Sequence, residues 1–201
     1  MRPWRAILAS AMEKQHASAP ELIAFLRSMR AVRRFAPTPV PDDVIRDILE
    51  VGRWTGSSKN TQPWELLLVR DRATLRELST LGQFAGHLAG GAFGIALIME
   101  SAANRFDAGR LTEHLELAAW AHGVGSCIGS IFPEANEARA KALLGVPTER
   151  EMRTTISFGY PADANAIRAS STSTVSVLPT VGRRLLGEIV HVERYGRRYG
   201  A

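Results

Sequence analysis

Eight consecutive residues, Ser57-Ser58-Lys59-Asn60-Thr61-Gln62-Pro63-Trp64, gather hydroxyls, amides and one cation in a helix-breaking loop. A loop of this kind is costly to bury unless its donors and acceptors are satisfied. A planar, hydrogen-bond-rich cofactor is one way to satisfy them. Upstream, Arg30-Ala31-Val32-Arg33-Arg34 sets three guanidiniums just after an apolar helical pattern. Such a cluster could cap a helix C-terminus, which its dipole favours. It could equally clamp a phosphate or an anionic ring.

Other chemistries find little support. Gly123-Val-Gly125-Ser-Cys-Ile-Gly129 departs from GxGxxG and follows a helix rather than a strand, so it reads as a helix-to-strand turn. The histidines, His16, His87, His114, His122 and His191, show no metal-ligand spacing and read as solvent or core residues. There is no GxSxG elbow, and Cys127 has no local base and reads as a small buried hydrophobe. With no catalytic dyad in view, an enzyme of this sequence would leave the chemistry to a cofactor.

These residues need a scaffold. Pro20 opens a helix carrying Leu22, Ile23, Phe25, Leu26 and Met29 at helical spacing. Pro37, Pro39 and Pro41 stop any continuation. A second helix starts at Asp42 and Asp43 and buries Val44, Ile45, Ile48, Leu49 and Trp54. Strands are expected at Leu66–Val69, Phe93–Met99, Ser126–Phe132 and Thr154–Phe158, with helices over 71–81, 107–122 and 136–144. Residues 162–182, rich in Ala, Ser and Thr, read as a connector to an ordered C-terminal segment in which Ile189–Val192 could be a strand. An arm of that kind could pack on a second subunit.

The 201 residues suit one domain, and 45% hydrophobic with 22% charged content is ordinary for a globular protein. The net charge is +5, carried almost entirely by arginine. No long basic run and no aromatic–basic interleaving accompanies it, so nucleic acid is not an expected partner. A lone cysteine forms no intrachain disulfide and fits a reducing cytoplasm. No apolar run reaches the roughly 20 residues of a membrane span, and the N-terminal run is too short and mixed for a signal peptide.

Taken in order, Arg30-Ala-Val-Arg33-Arg34-Phe35, Pro39-Val-Pro41, Ser57 to Trp64, Gly123-Val-Gly125-Ser126 and Gly159-Tyr160-Pro161 resemble the FMN-dependent nitroreductase family. Asn60-x-Gln62-Pro63-Trp64 is the specific element, and the glycine turns are weak alone. The resemblance runs from about Met29 to the C-terminus. It implies an α+β nitroreductase-like fold, a central, mostly antiparallel sheet flanked by helices, as a single domain over 20–201 after a variable lead of 1–19. It further implies a homodimer with two interfacial FMN sites and an exchanged C-terminal arm within 162–201.

By position, the resemblance places Arg30 and Arg34 at the FMN phosphate and Arg33 at the N1–O2 edge of the flavin, where a cation raises the reduction potential. Ser57, Ser58 and Asn60 would line the ring and ribityl chain, with Gln62 supporting the loop. Gln83 would reach the pyrimidine edge from the partner. Gly129, Ser130 and Ile131 would pass the flavin N5 face through backbone groups, and Arg183 and Arg184 would close on the phosphate. Met29, Ala31 and Gly56 replace the arginine, serine and proline of many members, so neighbouring arginines must supply two phosphate contacts.

The expected activity is hydride transfer from NADH or NADPH through flavin N5 to a flat acceptor, a nitroaromatic or quinone, with no side-chain nucleophile. The alternatives are a specialised flavin relative that dehalogenates, dehydrogenates or fragments flavin, and a non-enzymatic FMN-binding protein. Residues between Gly82 and Arg110 are expected to shape the substrate lid. Arg110 is a candidate for an anionic substrate or nicotinamide phosphate, set against an ordinary ion pair near Glu113.

Overall fold

The apolar run Phe93–Met99 is a strand buried along its whole length. The computed structural model describes residues 17–163 and 183–200. They fall into two compact units, 30–163 in one, 17–29 with 183–200 in the other. The helices, in chain order, are α1 (Ala19–Ser28), α2 (Asp42–Arg53), α3 (Arg72–Ser79), α4 (Arg105–Ala121), α5 (Glu134–Leu144) and α6 (Leu186–Ile189). The strands are β1 (Trp64–Val69), β2 (Phe93–Met99), β3 (Gly125–Ser130) and β4 (Thr154–Gly159), in one antiparallel sheet of order β1-β2-β4-β3.

Strand alternation sorts the sheet into two faces. Phe93, Ile95, Leu97 and Met99 meet Ile45 and Ile48 of α2 and Leu111, Leu115 and Ala119 of α4. Ala96 and Ile98 meet Leu75 and Leu78 of α3, with Leu81, Leu88, Ile131 and Met152. Phe93 and Phe158 stack across β2 and β4 with centroids 4.8 Å apart. Full burial of each such side chain is worth about 1.5–3 kcal/mol.

Local signals place the helices. Pro41 precedes α2, and Asp42 and Asp43 occupy its first turn, where negative charge suits the dipole. Asp71 caps α3 by accepting the Thr74 N–H at 2.7 Å. Gly52 admits α4: a Cβ there would lie 2.6 Å from Leu115 Cδ2. Gly123, at φ +70°, turns the chain from α4 into β3.

Two expectations change. Trp54, expected among the buried residues of α2, is 74% exposed. It is the C-cap, beyond the inward stripe, and its indole N–H donates to Glu50 Oε1 at 3.1 Å. Ile189–Val192 is not a strand. Ile189 closes the helical turn α6, whose start is fixed by the Leu185 N–H donating to Glu188 Oε2 at 3.0 Å, and beyond it His191 forms an isolated antiparallel bridge with Arg198. The expected connector lies mainly outside the described residues. No helix among the described residues is long and apolar enough to cross a membrane.

Candidate functional site

Strand β3 ends the sheet, so one of its edges faces away from β4. The Ile131 N–H donates to the Arg153 carbonyl at 2.8 Å, and the register pairs Gly129 with Thr155 and Cys127 with Ser157. Alternate residues of an antiparallel strand bond to the same neighbour. Ser126, Ile128 and Ser130 therefore turn their backbone groups to the outer edge. At its head, the Ser126 carbonyl accepts the Val32 N–H at 2.7 Å. Beyond it the N–H groups of Ile128 and Ser130 point along the edge.

The arginine segment is fixed beside this edge. Ala31 forms a parallel bridge with Ser126. Gly125 makes room for Val32, whose Cγ2 a Cβ there would approach within 2.4 Å. The Ala162 N–H donates to the Arg34 carbonyl at 3.0 Å, and Phe35 packs on Gly159. Arg33 and Arg34 stay exposed and Arg30 is half-buried. The Arg33 charge reaches both Cys127 and His87.

The segment from Leu81 meets the edge at its far end, where the Phe132 N–H donates to the Leu81 carbonyl at 3.1 Å and Gly82 lies against the outward Ser130 carbonyl, while His87 packs behind against Gly129. His87 is buried, its Nδ1 is 2.7 Å from Ser157 Oγ, and its Nε2 has no hydrogen-bond partner. Burial pushes its pKa down and the Arg33 charge adds to this, while backbone groups of Ile128 and Phe84 resist. Burial likewise pushes the Cys127 thiol up, against the pull of Arg33 and with the help of Glu116. Cys127 is therefore a poor nucleophile. Glu116, on α4, accepts the Ser126 hydroxyl at 2.8 Å; burial and Glu113 raise its pKa against that bond.

The polar loop is built from strained backbone. Lys59, Asn60 and Gln62 have φ of 50°, 56° and 49°. Left-handed non-glycine residues cost about 1–3 kcal/mol each and cluster at functional sites. The Gln62 N–H donates to Ser57 Oγ at 2.8 Å, and the Gln62 amide reaches Asn60 Oδ1 at 3.3 Å. Ser58, Lys59, Asn60 and Gln62 are exposed and Ser57 is half-buried. Helix α4 holds the start of the loop: His114 Nδ1 is 2.9 Å from Thr55 Oγ1, and the Arg110 guanidinium lies over Gly56.

Helix α4 thus stands between the two halves of the candidate site. Its Glu116 side faces β3, and its Arg110–His114 side faces the loop. Arg30, Arg33 and Arg34 come together with the β3 edge; Ser57, Ser58, Asn60 and Gln62 form a separate group. Ile131 is fully buried with its N–H taken, which leaves Gly129 and Ser130 as the edge residues of that trio. Gln83 is exposed beside the exposed Phe84. Arg183 and Arg184 belong to the other unit, where Arg184 Nη2 donates to the Glu188 carbonyl at 2.9 Å. His87, Ser157, Glu116 and Ile128 escaped the sequence reading; the glycines from Gly82 to Gly91 around His87 were the available sign of close packing.

The fold and site define an α+β protein with a donor-bearing sheet edge beside an arginine cluster. The nitroreductase family model matches residues 26–84 and 99–160, and the chain belongs to the nitroreductase family. A protein of Archaeoglobus fulgidus, provisionally named NADH dehydrogenase/NAD(P)H nitroreductase, is 27% identical over 151 residues, 71% of this chain and 87% of that protein. An FMN-dependent nitroreductase from Clostridium difficile superposes with TM-score 0.72 at 21% identity, covering 86% of this chain and 99% of that one. The NADPH:FMN oxidoreductase from Vibrio harveyi, complexed with NAD+, gives TM-score 0.69 at 20% identity, over 86% and 77%. The fold is nitroreductase-like.

Proposed function

We propose that the protein is an FMN-dependent oxidoreductase that takes electrons from NADH or NADPH and delivers them to a flat acceptor, a nitroaromatic or a quinone. The outer edge of β3 carries this reading: backbone N–H groups of Ile128 and Ser130 beside the exposed Arg33. That donor set fits the carbonyls and ring nitrogens of a flavin rim. The exposed amides and hydroxyls of the strained loop fit its ring and ribityl chain, and Arg30 and Arg34 fit its phosphate.

Bound there, FMN would supply two-electron chemistry, accepting hydride at N5 and passing it on. The protein's part is to bind, orient and polarise. Arg33 places a fixed positive charge beside the edge, favouring negative charge on a bound ring. His87 and Gly129 set the position of the edge from behind, and Gly82 meets it at the Ser130 carbonyl. Cys127 stays a neutral thiol, so the chain supplies no competing nucleophile there.

Loop and arginines lie on opposite sides of α4, which favours a site completed by a second copy, its loop facing the first copy's edge. A homodimer of this kind gives Gln83, Arg183 and Arg184 a role at the shared site, with the C-terminal segment as its arm. The protein as purified is expected to show the visible spectrum of bound flavin and to bleach when NADH or NADPH is added without oxygen. Light scattering should give twice the chain mass. Colourless protein that takes up no added FMN would rule the reading out.

A further inference from the structure

His87 carries a buried nitrogen that no other group of the fold uses. The residue is 8% exposed, and its Nε2 makes no hydrogen bond. Its Nδ1 lies 2.7 Å from Ser157 Oγ. Ser157 has one hydroxyl hydrogen and donates it to the Cys127 carbonyl at 3.4 Å. Nδ1 therefore carries the hydrogen of the neutral ring, and Nε2 is left as a lone pair. A buried acceptor with no donor is costly to keep, and in a native fold it calls for a role.

The place of the ring points to one. A Cβ built on Gly129 would lie 3.4 Å from His87 Cε1. The imidazole thus backs the stretch of β3 whose outward N–H groups, at Ile128 and Ser130, form the proposed flavin edge. Backbone groups of Ile128 and Phe84 favour the protonated ring. Only carbonyls can do so, because both nitrogens of that form are donors. Nε2 therefore has acceptors at hand for an N–H and no donor for its lone pair.

Burial and the charge of Arg33 keep the proton off. Other charges bear on the ring little. Cys127, on the same face of β3 as Gly129, is a neutral thiol. Glu116 bonds to Ser126, whose side chain leaves β3 on the opposite face. Neither the turn Gly86–Gly90 nor β4 brings another titratable side chain. Arg33 is thus the charge that a bound ring can offset. Hydride delivered to a ring at the edge carries two electrons and one proton, and leaves one negative charge there. That charge offsets Arg33 and favours a proton on the imidazole.

We propose that His87 is a redox-linked proton acceptor: its unpartnered Nε2 takes a proton from water when a ring held at the β3 edge is reduced, and releases it when that ring is reoxidised. The inference rests on the redox reading above and adds a second proton to it. Reduction then takes up two electrons and two protons in place of two electrons and one. The bond formed is Nε2–H, the proton comes from solvent, and no group of the chain changes oxidation state.

Spectroelectrochemical titration of the FMN-loaded protein at stepped pH tests it. For a two-electron couple, each proton taken up moves the midpoint potential by about 30 mV per tenfold change in proton concentration. From about pH 6.5 to about pH 8, wild type should run steeper than H87Q by up to about 30 mV per pH unit. A role in packing alone would displace the H87Q potential equally at every pH, so parallel slopes overturn the inference. H87N replaces H87Q if the latter does not fold. Wild type with isotope-labelled histidine gives a reading that needs no variant: on reduction, one ring should take on the chemical shifts of an imidazolium, and no such change overturns the inference. Protein that binds no FMN, or that nicotinamides do not reduce, sinks the redox reading; reversible reduction with parallel slopes sinks only this one.

Discussion

The Arg110 guanidinium fills the space that a side chain at Gly56 would need: a Cβ built on the glycine would lie 2.9 Å from a terminal nitrogen of Arg110. Gly56 lies outside the left-handed region, so its backbone accepts an alanine. Alanine there should stabilise by about 0.4–1 kcal/mol by restricting the unfolded chain. With Arg110 in place, part of that gain is lost in moving the guanidinium. Urea denaturation of Gly56→Ala, Arg110→Ala and the double variant should show a larger gain where Arg110 is absent. Equal gains would mean the two do not touch in solution.

Glu137 is a nearly buried carboxylate serving three donors. Burial works against its charge, yet the Met152 N–H, Arg153 and Lys141 together hold its pKa below the usual 4.5. A carboxylate depressed by folding contributes stability that is present above about pH 4.5 and lost as the pH falls below it. Glu137→Ala should cost about 3–5 kcal/mol at neutral pH, since it strands Arg153 and Lys141. Glu137→Gln should flatten the loss of stability on the acid side, as read by denaturation at stepped pH.

His87 and Glu116 give opposite signs. Burial lowers the His87 pKa from 6.5, so the unfolded chain binds that proton more readily, and stability falls as the pH drops below 6.5. His87→Gln should remove this slope. Burial raises Glu116 above 4.5, so its ionisation increasingly opposes folding as the pH rises. Glu116→Gln keeps an acceptor for Ser126 and should raise the melting temperature at pH 8 more than at pH 4. A change equal at both pH values would show that charge is not the cause.

Much of the scaffold was legible because its signals are local. The length and flanking glycines of the apolar run Phe93–Met99 favoured a buried strand over a helix, and Asp42-Asp43 after three prolines marked a helix start. The Asn60-x-Gln62 loop was visible as polar groups to be satisfied, and the arginine cluster as either a helix-end cap or an anion clamp. Other features depend on contacts distant in sequence. The outward parity of Ile128 and Ser130 follows from the register with β4, and no residue type records it. The role of α4 as a partition depends on Glu116 meeting Ser126 while His114 meets Thr55. Trp54 looked apolar enough to bury, but the helix ended before it could turn inward.

Lys59 and Asn60 share the left-handed conformation, at φ 50° and 56°, and both side chains are exposed. Glycine adopts that region without the roughly 1–2 kcal/mol penalty of other residues, though it loses about 0.5–1 kcal/mol more in chain entropy. Lys59→Gly and Asn60→Gly should therefore each change stability little, or raise it by up to about 1 kcal/mol. Their effects on FMN should diverge. An amide that bonds the cofactor is worth about 0.5–1.5 kcal/mol, so Asn60→Gly should weaken FMN binding by about 2- to 12-fold. Lys59→Gly should leave it within about twofold, since the resemblance gives that side chain no contact. Fluorescence titration of the apoprotein with FMN reads both. If the two variants bind alike, the backbone strain serves the shape of the loop, and Asn60 is no ligand.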